Sequence, residues 1–301
     1  MAVKVIYIAG QSFSGSTLLC AMLGIHPEVE PVSELAMWTL KAGQTGRRCS
    51  CGRTRLECPF WTQVHGTWIG KLEGLSVEAY TELQRRIETL RYSWPHLFAR
   101  LPWPSAGDME LYRRATVALF ESVAACGRPI IADSSKKPPR AAALTGAEGL
   151  ELRVIHLVRD GVSFIEANIR RKKLSPSDRD FLYRVFRLGI EWSAANLAAE
   201  RALRMNGSRG VQVRYEDLVE DPDAALKMIG AQVELDLACV GEHIRAGRPI
   251  SWRHMESGST HRLAGPALLS KDFAARPRFP QRVRLAFYLG GGALSRRYGY
   301  L

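Results

Sequence analysis

Cysteine is scarce in this chain. Six in 301 residues (Cys20, Cys49, Cys51, Cys58, Cys126 and Cys239) are too few for a disulfide scaffold at this length. No window approaches the roughly 18 consecutive apolar residues that a membrane-crossing helix needs. Met1 runs almost directly into a strand-like segment, without the charged region and long apolar core of a secretion signal. These absences predict a cytoplasmic protein with no membrane span. Acidic residues are also in short supply, 30 against 42 Lys and Arg, which leaves a formal charge of +12. Such a balance attracts polyanions: nucleic acid, an anionic membrane or a multiply phosphorylated small ligand. A nucleic-acid-binding module rests on charge alone, because no zinc-finger, RNP or helix-turn-helix pattern occurs and the basic residues are dispersed. A small anionic ligand fits better.

What is present begins in the first twenty residues. Residues 3–9 (VKVIYIA) read as a buried strand, followed by the small-residue loop 10–17 (GQSFSGST) and an apolar helix from Leu18. Strand, loop and helix in this order point several backbone N–H groups and a helix N-terminus at an anion. The loop lacks the Lys of G-x-x-x-x-G-K-[ST], so its pattern is not that of an ATP-binding loop. Three more near-continuous apolar runs, 129–133, 152–158 and 211–215, suit parallel strands covered on both faces. Phe181, Val185, Leu188, Trp192, Ala195, Ala199 and Leu203 recur at steps of three and four, marking the core face of a long helix. Asp221-Pro222 has the cap and first-turn residues of another helix. There is no repeat and no low-complexity tract. The economical reading is one α/β domain over 1–301, a three-layer doubly wound parallel sheet, with a helical insertion at 36–126 broken near Trp94-Pro95 and at 102–107.

Four blocks then fall near predicted strand ends, where ligands of open parallel sheets bind. They are 10–17, Asp133-Ser134-Ser135-Lys136-Lys137-Pro138, Leu157-Val158-Arg159-Asp160-Gly161 and Arg214-Tyr215-Glu216-Asp217-Leu218. In this order and spacing they resemble the sulfotransferases that use 3′-phosphoadenosine-5′-phosphosulfate (PAPS), bacterial members and the tyrosylprotein branch above all. The resemblance extends to the closing Arg297-Tyr298-Gly299-Tyr300 and implies a P-loop-like fold. It also implies that Ser14, Gly15, Ser16 and Thr17 hold the 5′-phosphosulfate. Phe13 stands where the family carries a basic residue, and is read here as an acceptor contact, with Lys136 supplying the missing cation. Arg159 resembles the arginine that grips the donor's 3′-phosphate with a forked contact. The family's serine eight residues later is Ala167 here. Ser163 and Arg171 share a helical face with it and are expected to complete the clasp. Tyr215 matches a tyrosine near the nucleotide.

Glu34 is the expected general base. The run His26-Pro27-Glu28-Val29-Glu30-Pro31-Val32-Ser33-Glu34 resembles the family segment in which a glutamate faces the acceptor, while Glu28 and Glu30 read as surface residues. The implied reaction carries a sulfuryl group from PAPS to an acceptor hydroxyl, releases 3′-phosphoadenosine 5′-phosphate (PAP) and needs no metal. Cys49, Cys51 and Cys58 are one ligand short of a structural zinc site, with His65 a weak fourth; His243, His254 and His261 show no ligand spacing. Related bacterial sequences carry a similar cysteine block, which implies a structured loop over the acceptor cleft; a disulfide within it stays open, with a reducing cytoplasm arguing against one. Trp38, Trp61, Trp68, Trp94 and Trp103 either line an acceptor pocket or pack a core. A P-loop-like kinase using ATP and a non-catalytic nucleotide-binding protein remain the rival readings.

Overall fold

The computed structural model describes residues 2–41, 46–89, 104–207 and 209–301. Val3–Gly10 forms the central strand β1 of a five-stranded sheet in which every pairing is parallel. Ile130–Lys136 (β3) and Leu150–Val158 (β4) flank it, with Val29–Ser33 (β2) and Gly210–Arg214 (β5) at the edges, in the order β2-β3-β1-β4-β5. The pleat sends successive side chains to opposite faces. Val5, Tyr7 and Ala9 therefore enter one core cluster with Phe120 and Ala199, while Ile6 and Ile8 enter another with Leu19, Leu226 and Ile229. Both faces are covered, which is why these strands read as apolar runs without alternation.

Strand β2 escapes the sequence reading because Glu30 and Pro31 sit inside it. Its place at the sheet edge accounts for the proline, whose missing N–H costs no ladder bond on the open side. Glu30 is fully buried, and its carboxylate accepts from Arg253 Nε at 3.0 Å and Nη2 at 2.9 Å. This corrects its reading as a surface residue; Glu28 is exposed as expected.

Among the described residues the α-helices are Ser16–Leu23 (α1), Leu35–Leu40 (α2), Pro59–Gly70 (α3), Val77–Ile87 (α4), Ala106–Cys126 (α5), Pro138–Leu144 (α6), Gly161–Lys172 (α7), Phe181–Met205 (α8), Tyr215–Glu220 (α9), Pro222–Val233 (α10), Ala238–Arg245 (α11) and Gln281–Arg297 (α12). Helices α2 to α5 form the expected insertion between β1 and β3, with β2 preceding them. Asp221 caps α10 by accepting from Ala224 N–H at 3.0 Å, as Asp221-Pro222 predicted. The long helix α8 buries Phe181, Val185, Leu188, Trp192, Ala195 and Ala199. Among the described residues no helix is long and apolar enough to cross a membrane. The chain leaves β1 toward β2 and β3 on one side and returns to β4 and β5 on the other, so the loops at the strand ends part and open a crevice.

Candidate active site

The loop after β1 is shaped by two glycines. A Cβ on Gly10 would meet the Leu157 carbonyl oxygen at 2.5 Å, and one on Gly15, which caps α1 at φ +86°, would meet the Tyr215 ring at 2.1 Å. Tyr215 thus packs against the loop, which brings the fourth sequence block to the first. Ser14, Ser16 and Thr17 are buried, and the Ser14 hydroxyl has no protein partner. That leaves a donor available at the helix N-terminus, where exposed N–H groups already favour an anion.

Glu34 and Lys136 meet directly: Lys136 Nζ forms an ion pair with Glu34 Oε1. Their backbone positions follow from the end of β3. Lys136 is in register with Ala9, at the mouth of the loop. Asp133 accepts from Leu35 N–H at 3.3 Å and Ser135 Oγ from Ala36 N–H at 2.9 Å, so β3 satisfies two of the orphan donors that open α2 and fixes Glu34 at its cap. Burial pushes the Asp133 carboxyl up to about 6. Lys137 takes a separate partner, Glu88, at 2.9 Å, and Glu88 is fully buried with Arg140 and Tyr112. The two adjacent lysines are therefore both engaged, and only Lys136 faces the crevice side occupied by Glu34. Phe13, Ser33 and Lys136 all hold left-handed backbone, at φ 65°, 60° and 63°. Each such position costs on the order of 1–3 kcal/mol, and such strain gathers at sites of function.

Arg159 projects from the end of β4. Its Nη1 donates to the Phe13 carbonyl at 3.2 Å, its guanidinium lies 4.5 Å over the Tyr215 ring, and its Nε is buried without a hydrogen-bond partner. The Arg171 guanidinium lies 5.1 Å from the Phe13 ring centre. Ser163 is buried in the first turn of α7, behind the Asp160 cap, which accepts from Val162 N–H at 3.2 Å and pairs with Arg276 at 2.6 Å. The structure therefore gathers Phe13, Arg159, Arg171 and Tyr215 on the β4 side of the loop. Phe13 packs against the cluster that includes Phe164, Val185 and Phe287.

Sequence reasoning missed the strap at 254–259. Ser259 N–H donates to Thr17 Oγ1 at 3.3 Å and Ser33 Oγ to the Ser257 carbonyl at 2.8 Å. Gly258, at φ +93°, passes so close that a Cβ would lie 2.6 Å from Ser33 Oγ and 2.7 Å from Thr17 Oγ1. The loop and the segment leading into Glu34 are thus one residue's width apart. The reading of the cysteine block as one ligand short is also corrected: Cys49, Cys51 and Cys58 gather with His254, their ligand atoms within 4.8 Å of one another. His65 instead stands at the edge of Trp38, with 5.9 Å between ring centres. Sequence spacing offered no signal for His254, which lies 196 positions from Cys58. Trp38, Trp61 and Trp68 are buried, the Trp38 ring in contact with each of the other two, and with His65 and Arg55 they line a cavity of about 110 Å³. Trp94 and Trp103, with the breaks near 94–95 and 102–103, lie outside the described residues.

The family model described as "Sulfotransferase family" matches residues 6–238, which take in the loop after β1, Glu34, Lys136, Arg159 and Tyr215 but not the strap at 254–259. The chain belongs to the sulfotransferase family. Solved structures agree on the fold of this sulfotransferase. It is similar to the sulfotransferase domain of the olefin synthase of Synechococcus PCC 7002 (19% identity, TM-score 0.52, covering 97% of this chain and 94% of that one). It is similar also to the sulfotransferase domain of the curacin biosynthetic pathway (17% identity, TM-score 0.51, 100% and 99% covered). Sulfotransferase STF9 from Mycobacterium avium aligns at 12% identity, TM-score 0.50, with 100% and 78% covered. No curated protein matches the sequence.

Proposed function

We propose that this sulfotransferase takes PAPS as donor, transfers its sulfuryl group to an acceptor hydroxyl and releases PAP. The observation that carries the reading is the Glu34–Lys136 ion pair beside the 10–17 loop. It holds a proton acceptor and a cation in contact at the place where an attacking oxygen and a leaving phosphate would stand on opposite sides of sulfur. The acceptor O–H gives its proton to Glu34 as its oxygen forms the new S–O bond. The bond from sulfur to the bridging oxygen breaks, and its electron pair goes to the 5′-phosphate of PAP. Lys136 stabilises the charge that grows on that oxygen, the electrostatic logic of other group transfers from phosphate leaving groups. Ser14, Ser16, Thr17 and the first turn of α1 bind the 5′-phosphosulfate, with the unpartnered Ser14 hydroxyl in support. Arg159, Ser163 and Arg171 bind the 3′-phosphate, and Tyr215 backs both the loop and Arg159.

The contacts of Phe13 favour a different role from the acceptor contact read in the sequence. Its ring carries Arg171 and its carbonyl accepts from Arg159, so it is a platform for two cations in a loop that has none of its own. The acceptor is a hydroxyl compound reached from the insertion side, where Trp38 lies one helical turn beyond Glu34.

Calorimetry with PAP, AMP and ATP tests the donor, and ³⁵S transfer from labelled PAPS to a panel of phenols, sugars and amines tests the reaction. PAP should bind far more tightly than AMP or ATP. Equal affinity for AMP sinks the donor assignment. Tight PAP binding without transfer to any acceptor would favour a non-catalytic nucleotide-binding protein.

A further inference from the structure

We infer that Cys49, Cys51, Cys58 and His254 bind one zinc ion in a closed structural site. The sulfur–sulfur distances are 3.6 Å for Cys51–Cys58 and 3.7 Å for Cys49–Cys58, and His254 Nδ1 lies 3.5 Å and 3.9 Å from the sulfurs of Cys58 and Cys49. A tetrahedron with Zn–S of about 2.3 Å and Zn–N of about 2.0 Å has edges of about 3.8 Å between sulfurs and about 3.5 Å between sulfur and nitrogen. Four of the six distances already lie within about 0.4 Å of those edges, and all six are within 4.8 Å. A disulfide needs about 2.05 Å and would leave one of three thiols over.

The surrounding backbone also holds the cysteines in a fixed loop. Arg48 and Thr54 close a small antiparallel bridge, Cys49 N–H donates to the Arg53 carbonyl at 2.9 Å, and Gly52 turns the chain at φ +88°. The His254 ring stacks on Phe60, 4.9 Å between centres and 12° from parallel, and its carbonyl accepts from Trp61 Nε1 at 2.7 Å. Both contacts fix the imidazole with Nδ1 toward the sulfurs. Three thiolates and one imidazole at tetrahedral spacing are the donor set of structural zinc. On binding, three thiols each release a proton, histidine binds neutral, and the complex carries one negative charge.

The ion would fasten the insertion to the strap. Beyond His254, Met255 accepts from Ser50 through N–H at 2.9 Å and Oγ at 2.7 Å, and the strap then reaches Ser33 and Thr17 as described. Its effect on PAP binding rests on the donor-loop assignment above; the metal site does not.

The test uses the full chain, produced with zinc in the medium and purified reduced. Elemental analysis should find about one zinc per chain, and Co²⁺ substituted for it should give the intense visible bands of a tetrahedral thiolate complex. His254→Cys should keep the ion, whereas His254→Ala and Cys58→Ser should lose nearly all of it. If these two fail to fold, cobalt exchange into the wild-type chain decides alone. Folded, reduced wild-type protein without stoichiometric zinc, a pale octahedral cobalt spectrum, or a mapped Cys51–Cys58 disulfide would overturn the site. Chelation should weaken PAP binding; unchanged PAP affinity in zinc-free protein would overturn the strap's role. Failure of the zinc-loaded protein to bind PAP would count against the donor assignment and leave the metal result standing.

Discussion

The donor edge and the cysteine–histidine knot are built on opposite principles. At the proposed donor edge, the candidate residues stand within a few positions of a strand end: Gly15 and Ser16 after β1, Lys136 ending β3, Arg159 after β4 and Tyr215 after β5. The parallel sheet alone brings those ends together, so local sequence suffices to announce the site. In the knot, no local pattern is complete. His254 reaches Cys58 across 196 positions, through a strap that has no regular secondary structure. The donor edge also keeps strain and an unpartnered hydroxyl, as at Ser14, whereas the four ligand atoms of the knot face one another. A site that must receive a ligand is left incomplete by its protein, and a site that holds two segments together is closed.

The largest effect expected at the donor edge is on turnover. Lys136→Ala should lower kcat by about 10²–10³, equivalent to about 3–4 kcal/mol of barrier, with little change in PAP affinity, because its interaction strengthens as the leaving oxygen gains charge. Glu34→Gln should lower kcat with PAP binding preserved. Near-wild-type turnover in either variant removes that residue from the mechanism. Next in size is recognition of the 3′-phosphate: Arg159→Ala should cost about 1.5–3 kcal/mol of PAP binding. AMP binding should hardly change, and calorimetry with the two nucleotides separates a lost phosphate contact from a collapsed loop.

Gly15→Ala sharpens the comparison from the side of stability. It forces a left-handed conformation on an L residue and drives a methyl into the Tyr215 ring, so thermal unfolding should show a loss of about 2 kcal/mol. An alanine at Gly52, which is also left-handed but has open space around it, should cost less; equal losses would mean that packing on Tyr215 contributes nothing. The smallest net effect is on the pH dependence of stability. Burial holds His156 down at about 4 and Asp133 up at about 6. A depressed histidine contributes stability that is lost as pH falls from about 6.5 toward about 4, and a raised carboxyl contributes stability that is lost as pH rises through about 6. The two oppose each other across pH 4 to 6. Denaturant titrations should therefore show His156→Gln becoming relatively more stable toward acid and Asp133→Asn relatively less so; slopes of the same sign in both would refute the assignment.

Four of the five strands were legible in the sequence because each is an apolar run buried on both faces. The fifth, β2, hid behind Glu30 and Pro31, whose cost is removed by the sheet edge and by Arg253, 223 positions away. The same division runs through the site. Ser14–Thr17, Lys136, Arg159 and Tyr215 could be read from motifs, since each belongs to a strand end. That Lys136 pairs with Glu34, Lys137 with Glu88 and Arg171 with Phe13 could not, because helix docking and side-chain direction decide those contacts. The strap is the extreme case: Gly258 is one ordinary glycine among 26 until Thr17 and Ser33 close on it from both sides.

On the roles proposed for them, the ion pair between Glu34 and Lys136 also implies an order of events in the catalytic cycle. With Lys136 paired to Glu34, an acceptor entering first finds the proposed base already occupied. An incoming phosphosulfate offers the lysine a stronger anionic partner and frees the carboxylate in the same movement. Kinetics should accordingly be sequential with the nucleotide adding first, PAP acting as a competitive inhibitor against the donor alone. On that proposal, before the donor arrives the base and the cation hold one another out of use.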